Sequence, residues 1–370
     1  MEEGIHVCME FKRPNALLVS FIIPSYNSSH TIKRCLESIY ALSLEQSEFE
    51  VIFVDDCSTD NTIGAIQNYC SENYDSVANF TLLRQPRNNR QGAARNRGLS
   101  IAKGEYICFV DSDDTVVEGV VPAIRMAKKL QTDMVAFHFA NANENGQITS
   151  EKEHLSFTTG QIFSGIEMQM FHPYWCSAPW AYVYSKAFLD KSNYPFCEGV
   201  LYEDSDFVST HLYYARRMTY SPQVGYVACH REGSTIHSNS YKNYADYLLL
   251  GTRMLALYNT IQRDIDQSKR TEDVIQAFAD VVLEGACWNV TKSFNRLFKL
   301  SNGKEISAYY KRVDSFVNRT DLFGNPLMHR FPDYWSKWSV FCINHKNLSI
   351  TLNAVLSLLY KMKLGHIFGI

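Results

Sequence analysis

The sequence predicts an α/β fold: a mostly parallel central sheet with helices on both faces, then a mainly α-helical C-terminal region. Three observations carry this. Near-continuous apolar runs, of which LLVSFII (17–23) is the first, read as strands buried on both faces. Stretches with apolar residues at helical spacing follow them, beginning with TIKRCLESIYAL (31–42). Beyond about residue 240 the strand signal stops and only helical periodicity continues.

Each element follows from its local pattern. EVIFVDD (50–56) repeats the strand signal, and NTIGAIQNYC is the next helix, with Asp60 as a candidate N-cap. TLLRQ (81–85) reads as a short strand, QGAARNRGLSIA (91–102) as a helix and YICFV (106–110) as a strand. A helix over VVEGVVPAIRMAKKL and a strand at MVAFHFA (134–140) complete the alternation, which at this spacing builds a parallel sheet. Residues 141–175 are a polar excursion. PWAYVYSKAFL (179–189) then reads as strand plus helix, YEDSDFVSTHLYYA (202–215) as a helix, and MTYS and GYVACHR as two short strands. Three helices follow, the third near 304–317, and the domain boundary is expected near 240, giving regions 1–240 and 241–370.

Composition narrows the function classes. Apolar residues make up 46% and charged residues 20% of 370, which suits a packed chain rather than a disordered one. A formal net charge of −3 argues against nucleic acid as partner. Residues 1–284 hold 24 Lys/Arg against 35 Asp/Glu, whereas 285–370 hold 12 against 4, so an acidic front carries a basic tail. Ten cysteines are scattered without a CxxC pair, several inside apolar runs, which points to a reducing cytoplasm rather than a disulfide framework. The start, MEEGIHVCMEFKRP, has no apolar core of a signal peptide, and no run approaches a membrane-spanning length.

The chemistry gathers at strand ends. In open parallel sheets, ligands bind beyond the carboxyl ends of the strands. The first strand ends in PSYN (Pro24 to Asn27), the second in VDDCSTDNT with Asp55, Asp56 and Asp60, and the fourth in VDSDD with Asp111, Asp113 and Asp114. Carboxylates brought together repel unless a cation lies between them, and hard oxygen ligands suit Mg²⁺ or Mn²⁺. The alternative is that these Asp residues only cap helices and form turns. No GxxxxGK[ST] loop is present and no GxGxxG follows the first strand, so a P-loop kinase or a dinucleotide-dependent dehydrogenase is disfavoured.

The series VSFIIPSYN, EVIFVDDCSTDNT, QGAARNRGLSIAKGEYICFVDSDD and GVLYEDSDF resembles glycosyltransferase family 2, and the matching segments run from about 17 to 240. The resemblance implies a GT-A (Rossmann-like) fold and an inverting transfer from a nucleotide sugar. Pro24, Tyr26 and Asn27 match the motif that borders the nucleotide. Asp55 and Asp56 match the acidic pair of which one, here Asp56, hydrogen-bonds the uracil edge. Arg95 matches an arginine near the base or diphosphate. Asp111 and Asp113 match the DxD, with Asp113 on the metal and Asp111 on ribose or metal, and Asp204 matches the catalytic base, with Glu203 and Asp206 as rivals.

Weaker positions keep two readings each. Trp180 matches a place near the sugar pocket or is a core residue. Arg231 pairs with phosphate or makes a surface salt bridge, and His230 supplies a metal nitrogen or is structural. The tail HKNLSITLNAVLSLLYKMKLGHIF is an amphipathic segment on an anionic bilayer beside a lipid-linked acceptor, or a helix packed on the catalytic domain or a second subunit. The expected function is transfer of a hexose or amino sugar from a UDP-sugar to a growing surface or capsular glycan, at the cytoplasmic face of a membrane. A binding module of the same fold that has lost catalysis, and a transferase acting on a protein or small molecule, are the alternatives.

Overall fold

The computed structural model describes residues 7–9, 17–73, 77, 79–144, 146–152, 154–172, 175–229, 241–268, 273–295 and 303–314. The chain divides into two compact units, Met1–Ser234 and Thr235–Ile370.

The first unit is built on a ten-stranded sheet. Its parallel core is β4 (Phe80–Arg84), β3 (Phe49–Asp55), β2 (Val19–Ser25) and β5 (Tyr106–Phe109), side by side in that order. Every residue of β2 and β3 is buried, as their unbroken apolar runs require. The register aligns Ser25 with Asp55 and Ile22 with Phe109, so the three acid-bearing or polar strand ends open on one edge of the sheet. Between them run α1 (Ile32–Tyr40), α2 (Thr62–Glu72) and α3 (Arg90–Leu99). Asn61 rather than Asp60 is the N-cap of α2, while Asp60 accepts from the Thr62 amide at 3.0 Å and from the Ser29 amide at 3.1 Å, tying two loops together.

Beyond β5 the sheet changes sense. The strand β9 (Tyr182–Ser185) lies antiparallel to both β5 and β7 (Met134–Ala142), and β7 pairs in parallel with β10 (Met218–Cys229). The sheet is thus mixed though mostly parallel in its core. Short strands finish the edges: β1 (Val7–Met9) beside β4, β6 (Thr115–Val116) beside β10 and β8 (Ile148–Glu151) beside β7. The helices α4 (Val120–Leu130), α5 (Gly165–Phe171), α6 (Lys186–Ser192) and α7 (Glu203–Tyr214) connect these strands.

Two local readings differ from expectation. MTYS and GYVACHR are not separate strands; β10 is continuous from Met218 to Cys229, and the register slips between Ser221 and Tyr226 absorb the exposed Pro222 and Gln223. A bulge is where a strand tolerates proline, so the proline interrupts the pairing without ending the strand. The excursion at 141–175 holds β8 and α5. Helix α5 starts on a capping box in which Ser164 and Glu167 satisfy each other's backbone amides, a signal legible in the sequence as Ser-Gly-Ile-Glu.

The second unit holds α8 (Tyr241–Ser268), α9 (Asp273–Asn295) and α10 (Gly303–Asp314). Leu248, Ile261, Phe278, Val282 and Ile306 are buried, and the Ser293 hydroxyl sits within hydrogen-bond distance of the Tyr309 hydroxyl (2.6 Å) and the Tyr244 carbonyl (2.5 Å). The basic amphipathic tail lies outside the described residues, and among the described residues no helix is long and apolar enough to cross a membrane. Cys35, Cys57, Cys70, Cys108, Cys176, Cys197 and Cys229 are free thiols.

Candidate active site

The backbone leaves ordinary conformations where the strands open. Asn27 after β2, Cys57 after β3, Arg90 at the start of α3 and Tyr202 before α7 all have positive φ, between 54° and 69°. Non-glycine residues held in this region are sterically costly and persist where the surrounding structure fixes them. Asn27 shows how. Its side-chain oxygen accepts from the Thr59 amide (2.8 Å) and the Asp60 amide (3.3 Å), while its own amide donates to the Ser58 hydroxyl (2.9 Å), locking the end of β2 to the loop after β3. Pro24 is buried opposite Val54, and Tyr26 stands 43% exposed at the rim.

The acidic pair at the end of β3 is split by environment. Asp55 is fully buried; its Oδ2 accepts from the Ser58 amide at 3.1 Å and pairs with Arg84 at 3.3 Å, and its Oδ1 has no hydrogen-bond partner. Asp56 receives the Gln85 side-chain amide (2.9 Å) and the Asn89 backbone amide (2.8 Å), both at Oδ1. Burial pushes the Asp56 carboxyl up to about 6, against the lowering effect of the Asn89 and Arg90 amides.

The DSDD loop after β5 is held at every residue. The Asp111 amide donates to the Tyr226 hydroxyl (3.0 Å), and the Ser112 hydroxyl meets the Ser28 hydroxyl (2.7 Å). The Thr31 hydroxyl donates to the Ser112 carbonyl (2.9 Å), and Arg34 donates to the Asp113 carbonyl (2.7 Å). Asp114 is buried and accepts from the Tyr226 hydroxyl and the Cys229 amide, each at 2.7 Å. Burial, reinforced by Asp113 and Asp111, holds the Asp114 carboxyl well above the usual carboxylate range. The last acid of the motif is therefore an internal anchor, whereas Asp111 and Asp113 are half-buried.

Arg95 joins this loop to the second acidic motif. One guanidinium nitrogen donates to Asp111 Oδ1 at 2.7 Å and the other to Glu203 Oε1 at 2.5 Å, and the side chain is 2% exposed. Its charge is thus spent on two protein carboxylates inside the fold rather than presented at the surface. Close packing makes this reach possible: a Cβ on Gly92 would lie 2.5 Å from the Cys197 carbonyl oxygen, so only glycine lets α3 approach the segment before α7. Asn96 grips the same segment through the Phe196 backbone in both directions, at 3.0 Å each.

The three acids at the start of α7 are told apart by their partners. Glu203 is buried on Arg95, and burial lifts its carboxyl to about 7 in opposition to that arginine. Asp206 is buried and accepts from the Tyr194 hydroxyl at 2.9 Å. Asp204 is half-buried, accepts from the Ser205 amide at 2.8 Å, and is pushed upward by burial while Arg95 pulls it down. Trp180 lies flat on Tyr226, ring centroids 4.4 Å apart and planes 3° from parallel, with its edge contact on Phe139. His230 and Arg231 lie outside the described residues.

Among the described residues no three His, Cys, Asp or Glu side chains form a ready metal cluster. The donor set still fits a hard divalent cation: Mg²⁺ characteristically takes one or two carboxylates and completes its shell with water and substrate phosphate. Asp111 and Asp113 offer two such carboxylates, half-buried on one loop, with Asp111 also accepting from Arg95.

Residues 20–179 match the sequence model of the Glycosyl transferase family 2. Over that segment the chain is similar to glycosyltransferase family 2. The chain is 29% identical over 253 residues to the uncharacterized glycosyltransferase YibD of Escherichia coli K12, covering 65% of this chain and 71% of that one. It is 35% identical over 129 residues to the poly(ribitol-phosphate) beta-glucosyltransferase of Bacillus spizizenii, covering 35% of this chain but only 20% of that longer protein. Its fold is that of the GT-A transferases: the crystal structure of S. aureus TarS 1–349 in complex with UDP-GlcNAc aligns with a TM-score of 0.58 at 22% identity, over 94% of this chain and 92% of that one.

Tyr226, Arg34 and Asn96 were missed by sequence reasoning. Each acts through polar contacts with residues 79 to 115 positions away, for which the local pattern carries no signal.

Proposed function

We propose that residues 1–240 form an inverting glycosyltransferase domain that moves a hexose or amino sugar from a UDP-sugar to a sugar acceptor in the synthesis of a surface or capsular polysaccharide. One observation carries this reading: Arg95 binds Asp111 of the DSDD loop and Glu203 of the EDSD motif, so the donor-side acids and Asp204 share one electrostatic site.

Asp56 accepts a hydrogen bond from the uracil edge, with Asp55 behind it and Pro24, Tyr26 and Asn27 bordering the nucleotide. Asp111 and Asp113 hold Mn²⁺ or Mg²⁺, which, when bound, neutralises charge developing on the departing diphosphate. Arg231 serves the diphosphate and His230 the cation. Asp204 takes the proton of the acceptor hydroxyl as it attacks the anomeric carbon from the face opposite the leaving group, which is the requirement for inversion. With Glu203 on Arg95 and Asp206 on Tyr194, Asp204 is the acid of this motif best suited to that task. Arg95 organises the two carboxylate motifs, and Trp180 borders the sugar pocket from its stack on Tyr226.

Relatives support the substrate class. The Bacillus spizizenii enzyme and the S. aureus protein TarS, a poly(ribitol-phosphate) beta-N-acetylglucosaminyltransferase, are both named for a polymeric poly(ribitol-phosphate) acceptor, and TarS has been crystallised with UDP-GlcNAc. A lipid-linked glycan at the cytoplasmic face of the membrane, approached through the basic C-terminal region of 241–370, fits the charge asymmetry of the chain. The deciding experiment is melting of the full chain with a panel of nucleoside diphosphates and nucleotide sugars, each with Mn²⁺, Mg²⁺ or chelator. A metal-dependent rise with uridine ligands supports the reading, and no rise with any of them overturns it.

A further inference from the structure

Tyr226 is the centre of a buried arrangement that the transfer chemistry leaves unused. It is fully buried in β10, where it pairs with Val116 of β6, immediately after the DSDD loop. Its hydroxyl accepts from the Asp111 amide at 3.0 Å and donates to Asp114 Oδ2 at 2.7 Å. One hydroxyl therefore serves as acceptor for the first acid of the loop and as donor to the last. The ring is fixed in turn by the parallel Trp180 face at 4.4 Å, and Asp114 is fixed from its other oxygen by the Cys229 amide.

We infer that Tyr226, braced by Trp180 and Asp114, is the positioning residue that sets the Asp111 and Asp113 carboxylates for a divalent cation. The inference rests on the transferase reading. Its physical basis is that two carboxylates can share a cation only if the backbone between them keeps one conformation. The Tyr226 hydroxyl closes that backbone from the sheet side, as Arg34 and Thr31 close it from the α1 side through the Asp113 and Ser112 carbonyls. Removing the hydroxyl leaves a buried amide on Asp111 and a buried carboxylate oxygen on Asp114 without their partner, a cost that the loop can lower only by moving. Groups that orient metal ligands in this way change metal affinity by roughly 10- to 100-fold when deleted.

The test is a Mn²⁺ titration of the full chain with saturating UDP, free Mn²⁺ being read by electron paramagnetic resonance. Tyr226→Phe keeps the ring, its stack and its volume and removes only the hydroxyl. Tyr106→Phe is the matched control, because the Tyr106 hydroxyl is a buried donor to the Ala127 carbonyl (3.0 Å) within the helix-covered sheet, away from the DSDD loop. The expected result is a loss of about tenfold or more in Mn²⁺ affinity for Tyr226→Phe, with Tyr106→Phe within about twofold of wild type. Affinity of Tyr226→Phe within about twofold of wild type, or an equal loss in both variants, overturns the inference while leaving the transferase reading intact. Absence of UDP-dependent Mn²⁺ binding in the wild-type protein overturns both. Should Tyr226→Phe fail to fold, Asp114→Asn, which keeps the side-chain volume and one acceptor oxygen, is read against the same three outcomes.

Discussion

Arg95 and Glu203, 108 residues apart in the chain, form a buried ion pair at 2.5 Å. Because the same guanidinium also binds Asp111, the pair fixes where α7 begins relative to the end of β5. Glu203 is the neighbour of Asp204 in the chain, so the pair also sets where that carboxylate stands.

Removing Arg95 is expected to be severe. Arg95→Ala leaves Glu203 buried and uncompensated, and breaking a buried pair from one side costs about 3–5 kcal/mol. Glu203→Gln keeps a hydrogen-bond acceptor at the same place and should cost less. Urea unfolding of both variants checks this ordering, and an Arg95→Ala protein as stable as wild type would remove the clamp from the account.

Asp204→Asn should lose transfer while keeping its fold and its nucleotide. Loss of a positioned base lowers turnover by about 10²–10⁴-fold. Uridine diphosphate binding, measured by calorimetry, should stay close to wild type. Asp206→Asn disturbs the bond from Tyr194 and should lower stability more than turnover. The reverse pattern would make Asp206 the base.

Asp56 predicts a pH dependence in two readouts. Its carboxyl lies at about 6 in the folded chain against an ordinary 3.8, so the folded state holds this proton more tightly than the unfolded one. The stabilisation is complete below the ordinary value and is lost as pH rises through about 6. The difference in melting temperature between wild type and Asp56→Asn should therefore shift across that window and be level above it. UDP affinity should run the other way, rising as pH passes 6, because the ionised carboxylate is the stronger acceptor for the uracil N–H. A flat UDP affinity between pH 5 and 7, about the span of the titration, would move the base contact away from Asp56.

Asp113→Ala tests the cation directly. Its side chain is half-buried and its backbone carbonyl stays bonded to Arg34, so the fold should survive. The metal-dependent part of the melting shift with UDP should disappear, leaving wild type with chelator and the variant with Mn²⁺ alike. Asp114→Ala contrasts with it: loss of a buried acceptor for Tyr226 and Cys229 should lower the melting temperature without any ligand.

Much of the first unit was legible because its signals are local. The apolar runs of β2, β3 and β5 announce strands buried on both faces, and the acids at their ends fall together because parallel strands present the same end to the same edge. The capping box of α5 was equally local and was passed over within a polar stretch. The continuity of β10 was hidden for a different reason: Pro222 and Gln223 look like a break, and only pairing with β7 shows that the strand resumes beyond them.

The sequence by itself determined the strand and helix alternation, the edge at which the acids gather and the family that their motifs resemble, since periodicity and short motifs are properties of neighbouring residues. Tertiary structure alone decided which acids are spent inside the fold. Asp114 goes to Tyr226, Glu203 to Arg95 and Asp206 to Tyr194, while Asp111, which shares Arg95 with Glu203, and Asp113 stay half-buried at the strand end and Asp204 at the start of α7. The reason is physical: a carboxylate's role depends on burial and on the charge opposite it, and both are supplied by residues distant in the chain.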